Sequence, residues 1–146
     1  MKAKDIMTPE PFVVTPTELV SHAAQIMRDR EIGLIPVVAD KESMRLVGVI
    51  TDRDIAVRHV AGGHAGDCAV SAHMTSKDLE TVDEGVDAAS VLAAMRRREI
   101  RRVVVVNRDG RVGGVIAQAD IAIEDGIPKK EVGETVKAIS EPAGRR

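Results

Sequence analysis

Thr51-Asp52-Arg53-Asp54 follows an apolar run, Leu46 to Ile50, and sets a hydroxyl and a carboxylate three residues apart where a strand should turn into a helix. Backbone N–H groups left unpaired at such a turn attract an anion, and the Thr51 hydroxyl stands beside them. Asp54 repels a phosphate, but its acceptor oxygens suit the paired hydroxyls of a ribose. A nucleoside phosphate carries both groups. Val14, Ile35 and Pro36 would then supply an apolar slot and backbone for adenine. The plainer reading of the same residues is a capping box, in which Thr51 and Asp54 close the first turn of a helix and hold nothing else.

The octet GVITDRDI at residues 48 to 55 returns as GVIAQADI at residues 114 to 121, with Ala117 in place of the threonine and Asp120 kept. Loss of one neutral hydroxyl weakens phosphate binding by about 0.5–1.5 kcal/mol, less than or near tenfold. A second, weaker site is therefore expected around Asp120. Arg102 and Val104 join it because they stand where the first copy has Leu34 and Pro36. Arg101 and Arg102 add charge there, or simply continue the solvated run Arg96 to Glu99.

A second constellation is His59, His64, Cys68 and His73. These are four soft or borderline metal ligands, but their spacing lacks the tight pairs of zinc ribbons and fingers, and the segment between them is rich in Gly and Ala. The expectation from spacing is no metal. Cys68 as a nucleophile lacks an orienting third group and an oxyanion site, so no catalytic residues and no enzyme activity are expected. His22 reads as a surface residue.

These residues need a scaffold, and the chain builds it twice. FVVTPTELVSHAAQIMRDREIGLIPVV matches LETVDEGVDAASVLAAMRRREIRRVVVV, so that Met27 aligns with Met95, Ile32 with Ile100 and Val37 with Val105. Each copy reads as βαββα: a short run (Phe12 to Val14; Thr81 and Val82), a helix (Leu19 to Arg30; Val86 to Arg98), a strand (Leu34 to Val38; Arg102 to Val106), a turn, a strand (Leu46 to Ile50; Val112 to Ile116) and a short helix from Asp52 or Gln118. The helical crossover predicts a parallel pairing of the first two strands, and the tight turn an antiparallel pairing of the last two. The expected organisation is a first repeat over residues 1–60, a connector over 61–73, a second repeat over 74–125 and a C-terminal extension over 126–146, a short helix with Val132, Val136 and Ile139 on one face. Ala88 to Met95 holds only one residue that is not apolar, Ser90, so this helix should be covered on two sides, by its sheet and by a sister copy or second chain.

Bulk composition narrows the classes. With 146 residues there is room for one domain or two small interdependent halves. Lys plus Arg number 21 against 23 Asp plus Glu, which gives no bulk attraction to nucleic acid or an anionic membrane. One Phe is the only aromatic residue, which limits stacked recognition of single-stranded nucleic acid, and nucleic acid is not an expected partner. A lone cysteine, an N-terminus without a signal-peptide run and the lack of a membrane-spanning stretch predict a soluble cytoplasmic protein with no membrane association.

The ordered repeat of DIMTP, Ala-Ala-x-x-Met, GLIPVV and GVITDRDI over about residues 4 to 124 resembles a tandem pair of cystathionine-β-synthase-type (CBS) domains, a Bateman module. It is similar to the small stand-alone bacterial pairs, including the hypoxic-response type, whose short C-terminal extension resembles GETVKAIS. The resemblance implies a mixed α/β (α+β) fold of two βαββα repeats packed as a pseudo-twofold pair with a C-terminal helical extension. It implies a regulatory module that binds AMP, ADP, ATP or S-adenosylmethionine in the cleft between repeats, forms a homodimer and signals to a separate effector protein. The family's nucleotide pattern falls on Gly33 to Val37 with Thr51 and Asp54; Arg101, Val104 and Ala117 depart from it in the second copy. The alternative is a dimeric CBS scaffold that has lost its ligand and serves protein–protein interaction in a stress response.

Overall fold

Local signals recur at equivalent places in the computed structural model, which describes residues 1–141. The helices are α1 (Ala3–Ile6), α2 (Val20–Arg30), α3 (Asp52–Asp54), α4 (Ala88–Arg98), α5 (Gln118–Ala122) and α6 (Lys129–Ser140), and the strands β1 (Thr8–Pro9), β2 (Leu34–Val38), β3 (Leu46–Thr51), β4 (Thr81–Asp83), β5 (Arg102–Val106) and β6 (Val112–Ala117). A π-helical stretch, Ile55–Val60, continues α3, and a 3-10 turn spans Val70–Ala72.

α2 and α4 end alike. Glu31 (φ 54°, ψ 45°) and Glu99 (φ 54°, ψ 40°) both take the left-handed conformation. The next amides, Ile32 and Ile100, each donate back to Met27 and Met95 carbonyls at 3.1 Å. This closure satisfies orphan carbonyls and turns the chain sharply into β2 or β5, and the Ile that follows each Glu packs on the core of its unit.

The chain falls into two compact units, and the units are not contiguous in sequence. Among the described residues, one comprises Met1–Glu10, Glu80–Arg108 and residues 113–141; the other comprises Pro11–Leu79 with Asp109–Val112. The leading segment Met1–Glu10 thus packs with the second copy, and residues to Leu79 pack with the first. A repeat boundary in sequence is not a boundary in packing.

In the unit built on the second copy, the sheet runs β1-β6-β5-β4, with β1 antiparallel to β6 and β4 parallel to β5 in register Thr81↔Val104. Val91, Leu92 and Met95 of α4 are wholly enclosed with Val103, Val105, Ile116 and Ile121. Each such side chain contributes about 1.5–3 kcal/mol on leaving water. The other side of α4 is covered by α6 of the same chain: Ile139 and Thr135 are buried, Val132 packs on the cluster, and Arg96 donates to the Thr135 hydroxyl at 2.8 Å. The extension thus packs on the apolar segment Ala88 to Met95 from within the same unit. Residues 142–146 of the expected extension lie outside the described residues.

In the other unit β2 and β3 are antiparallel, pairing Ile35 with Ile50 and Pro36 with Val49. The expected strand at Phe12 to Val14 is reduced to a single parallel bridge, Val14↔Val37. Val14, Val20, Ala23, Met27, Ile35, Val37, Ile50 and Val70 form the core.

Each copy's Gly-Val-Ile glycine sits where a neighbouring backbone passes too close for a side chain. A Cβ on Gly48 would lie 2.9 Å from the Thr75 carbonyl oxygen, and one on Gly114 would lie 2.7 Å from that of Thr8. Met7-Thr8 and Met74-Thr75 are therefore equivalent crossing segments, each joined to the β-strand beside it: Thr8 to Val115 and Thr75 to Val49.

Candidate functional site

The turn from β3 into α3 brings Thr51 and Asp54 together as a reciprocal pair. The Asp54 amide donates to Thr51 Oγ1 and the Thr51 amide to Asp54 Oδ2, both at 3.0 Å. Thr51 is extended (φ −115°, ψ 161°), the geometry of an N-cap. Asp54 Oδ1 lies 3.7 Å from Arg58 Nε, one helical turn on. The Arg58 guanidinium also donates to the carbonyls of His73 and Met74, each at 3.1 Å, so it ties this helix to the segment leading into the second copy. Arg58 was not among the residues expected at the site, although its i, i+4 spacing from Asp54 was the available signal.

The unpaired amides expected at this turn have partners. Asp52 donates to the Gly33 carbonyl at 3.0 Å, Arg53 to Asp52 Oδ1 at 2.8 Å, and Asp54 to Thr51. A phosphate would have to exchange with these internal bonds. The side chains of Val14 and Ile35 are wholly buried in the core, and Pro36, also buried, follows Ile35 in β2. Val14's own amide and carbonyl are engaged by Pro36 and Val38. These three residues shape the strand pair behind the turn; the half-buried groups at the turn itself are Gly33, Leu34, Thr51 and Asp54.

The second copy repeats the backbone without the hydroxyl. Ala117 has φ −106° and ψ 161°, and its amide donates to Asp120 Oδ2 at 2.7 Å. Arg101 stands in the place of Gly33, and its carbonyl accepts from the Gln118 amide at 2.8 Å as Gly33's does from Asp52. Because that bond uses only backbone, the side-chain replacement leaves it intact. Arg102 is half-buried and Val104 is 2 % exposed, enclosed in β5.

The histidines and the cysteine also meet. The ligand atoms of His59, Cys68 and His73 all lie within 4.8 Å of one another. Burial, with His64, His59 and Arg58 nearby, pushes the His73 imidazole below its usual range, so its neutral form is favoured.

Two α/β units, each with a strand turning into a short helix through a retained Asp, define a tandem-repeat module. The CBS domain model matches residues 3–59 and 70–125, and the chain belongs to the CBS-domain family. It is 33% identical over 140 residues to Hypoxic response protein 1 of Mycobacterium tuberculosis, covering 96% of this chain and 94% of that one. A crystal structure of Hypoxic Response Protein I with two coordinated zinc ions superposes with a TM-score of 0.76 at 31% identity, over 88% of this chain and all of that one. The CBS domain protein PAE2072 from Pyrobaculum aerophilum, complexed with AMP, gives a TM-score of 0.79 at 27% identity over 92% of this chain and 99% of that one. The CBS domain pair of protein MJ0100, in complex with 5-methylthioadenosine and S-adenosyl-L-methionine, gives 0.73 at 28% identity, over 84% and 93%. Among the described residues no helix is long and apolar enough to cross a membrane.

Proposed function

We propose that this chain is a non-catalytic sensing module that binds an adenine nucleotide or S-adenosylmethionine at the Thr51–Asp54 turn and passes its occupancy to a separate effector protein. The observation that carries the proposal is the intact Thr51–Asp54 pair at the end of β3, in a chain similar to CBS pairs that hold AMP or S-adenosylmethionine. Asp54 has acceptor capacity beyond its bond from Thr51, since a carboxylate offers about four lone-pair sites. A ribose diol donating to it would replace part of the Arg58 interaction. That exchange gives a mechanism, because Arg58 also holds the His73 and Met74 carbonyls, so ligand at Asp54 changes what Arg58 is free to hold. Signalling requires that two conformations differ in affinity for the ligand. The Asp120 turn is the weaker second site, lacking the hydroxyl; Arg102 adds charge there. Homodimer formation and a cytoplasmic setting belong to the same reading.

A second reading is favoured by a specific observation. The first-turn amides are all internally bonded and the side chains of Val14 and Ile35 are closed off, as suits a ligand-free scaffold for protein–protein interaction. Calorimetric titration of AMP, ADP, ATP and S-adenosylmethionine into the wild type and Asp54→Ala separates the two. Sensing predicts saturable heat that Asp54→Ala diminishes at least tenfold in affinity. A ligand at a hundredfold excess over Kd adds about 2.7 kcal/mol, roughly 9 °C for a chain of this size. No heat and no thermal shift at millimolar ligand favours the scaffold.

A further inference from the structure

We propose that His59, Cys68 and His73, with His64 as fourth ligand, form a zinc-class metal site in the unit built on the first copy. Independent elements deliver the ligands. His59 comes from the π-helical stretch Ile55–Val60, His64 and Cys68 from the connector, and His73 from the end of the 3-10 turn Val70–Ala72. Gly63 (φ 73°) and Gly66 (φ 82°) take left-handed conformations that fold the connector back, so that Cys68 returns to the histidine nine residues before it.

The distances suit one small ion. His59 Nδ1 and His73 Nε2 are 3.1 Å apart, and Cys68 Sγ and His64 Nδ1 are 3.9 Å apart. A tetrahedral ion with metal–nitrogen bonds of about 2.0–2.1 Å holds its nitrogens roughly 3.3 Å from each other, and a thiolate somewhat further. The His64 and His73 ring centroids are 4.7 Å apart, and those of His59 and His73 4.9 Å. Three imidazoles this close repel one another if protonated, whereas as neutral donors beside a thiolate they make a nitrogen–sulfur set. That set selects zinc, cobalt, nickel or copper over magnesium and calcium.

The ligands are also held in place. The Cys68 carbonyl accepts from the Val20 amide at 2.8 Å, and its amide donates to Asp67, which is itself bonded to the Ser21 amide and hydroxyl. His73 is 3 % exposed, with its carbonyl held by Arg58. The unusual sequence spacing follows from this: the ligands are gathered by the tertiary fold and not by a local metal knuckle. The metal would fasten the helix that begins at Thr51 to the connector.

The test uses full-length protein stripped with chelator, reduced, and titrated with Co2+ and then Zn2+ without nucleotide. One Co2+ per chain is expected, with tetrahedral d–d absorption, a thiolate-to-cobalt charge-transfer band and displacement by Zn2+. Cys68→Ser should abolish the charge-transfer band. His59→Gln should weaken binding by more than the roughly 10–100-fold that losing a supporting outer group costs, while His22→Gln leaves it unchanged. Cys68 and His59 are only partly buried, so both variants should retain the wild-type far-UV circular dichroism even if His73 variants do not. Absence of Co2+ binding, binding without a thiolate band, or affinity unchanged in His59→Gln would overturn the site.

Discussion

Restoring the missing hydroxyl in the second copy tests the physical equivalence of the two turns. Ala117 and Thr51 share ψ 161° and differ by only nine degrees in φ, −106° against −115°. In both, the carboxylate three residues on already accepts from the N-cap amide, at 2.7 Å from Ala117 and 3.0 Å from Thr51. Ala117→Thr therefore has its backbone and half of its capping box in place, and only the bond from the Asp120 amide to the new hydroxyl is added. An N-cap Thr is worth about 1 kcal/mol over Ala. With an unfolding entropy near 2.1 cal/mol/K per residue, that corresponds to roughly 3 °C in Tm. Thr51→Ala should lower Tm by a similar amount. Differential scanning calorimetry of wild type and both variants at neutral pH, without ligand, reads this directly. A fall in Tm for Ala117→Thr, or no change while Thr51→Ala loses several degrees, would refute the equivalence. Under the sensing reading, the added hydroxyl should also strengthen nucleotide binding at the second turn, by up to about tenfold.

Leu92→Ala, in the fully enclosed face of α4, should cost about 2–5 kcal/mol in denaturant unfolding, because transfer and cavity terms add there. Gly114→Ala should destabilise by roughly 1–3 kcal/mol, and more than Gly48→Ala, since its Cβ would approach the Thr8 carbonyl oxygen at 2.7 Å against 2.9 Å for Thr75 at Gly48; urea midpoints of the two variants check the order. Asp87 caps α4 through the Ser90 amide at 2.9 Å, and that bond, with the Ser90 side chain, holds its carboxyl below the usual range. A depressed folded pKa means stability that is present above the unfolded value of about 3.9 and lost as pH falls through the folded value. Asp87→Asn keeps a cap that does not titrate, so its Tm should fall less steeply than wild type below about pH 4.

Much of the fold was legible because it rests on local periodicity. The bounds of β2 (Leu34–Val38) and β5 (Arg102–Val106) follow from apolar runs between turn signals, and α2 and α4 from helical spacing. Thr51 and Asp54 were readable for the same reason: a cap and its third residue interact within one turn. Val14 and Ile35 as contacts for adenine were not legible in the same way, since an apolar residue in a strand looks the same whether it lines a ligand or a core. The structure puts both in the core.

What the chain's residues determined by themselves is the duplicated βαββα unit and the Asp that closes each final helix, because hydrogen bonds and side-chain periods within a few residues suffice to specify them. Only the tertiary structure decided that Met1–Glu10 packs with the second copy, that α6 covers α4, and that His59, Cys68 and His73 converge. Those outcomes depend on which distant surface best excludes water from an apolar face and where a loop folds back. Neither leaves a periodic mark on the sequence.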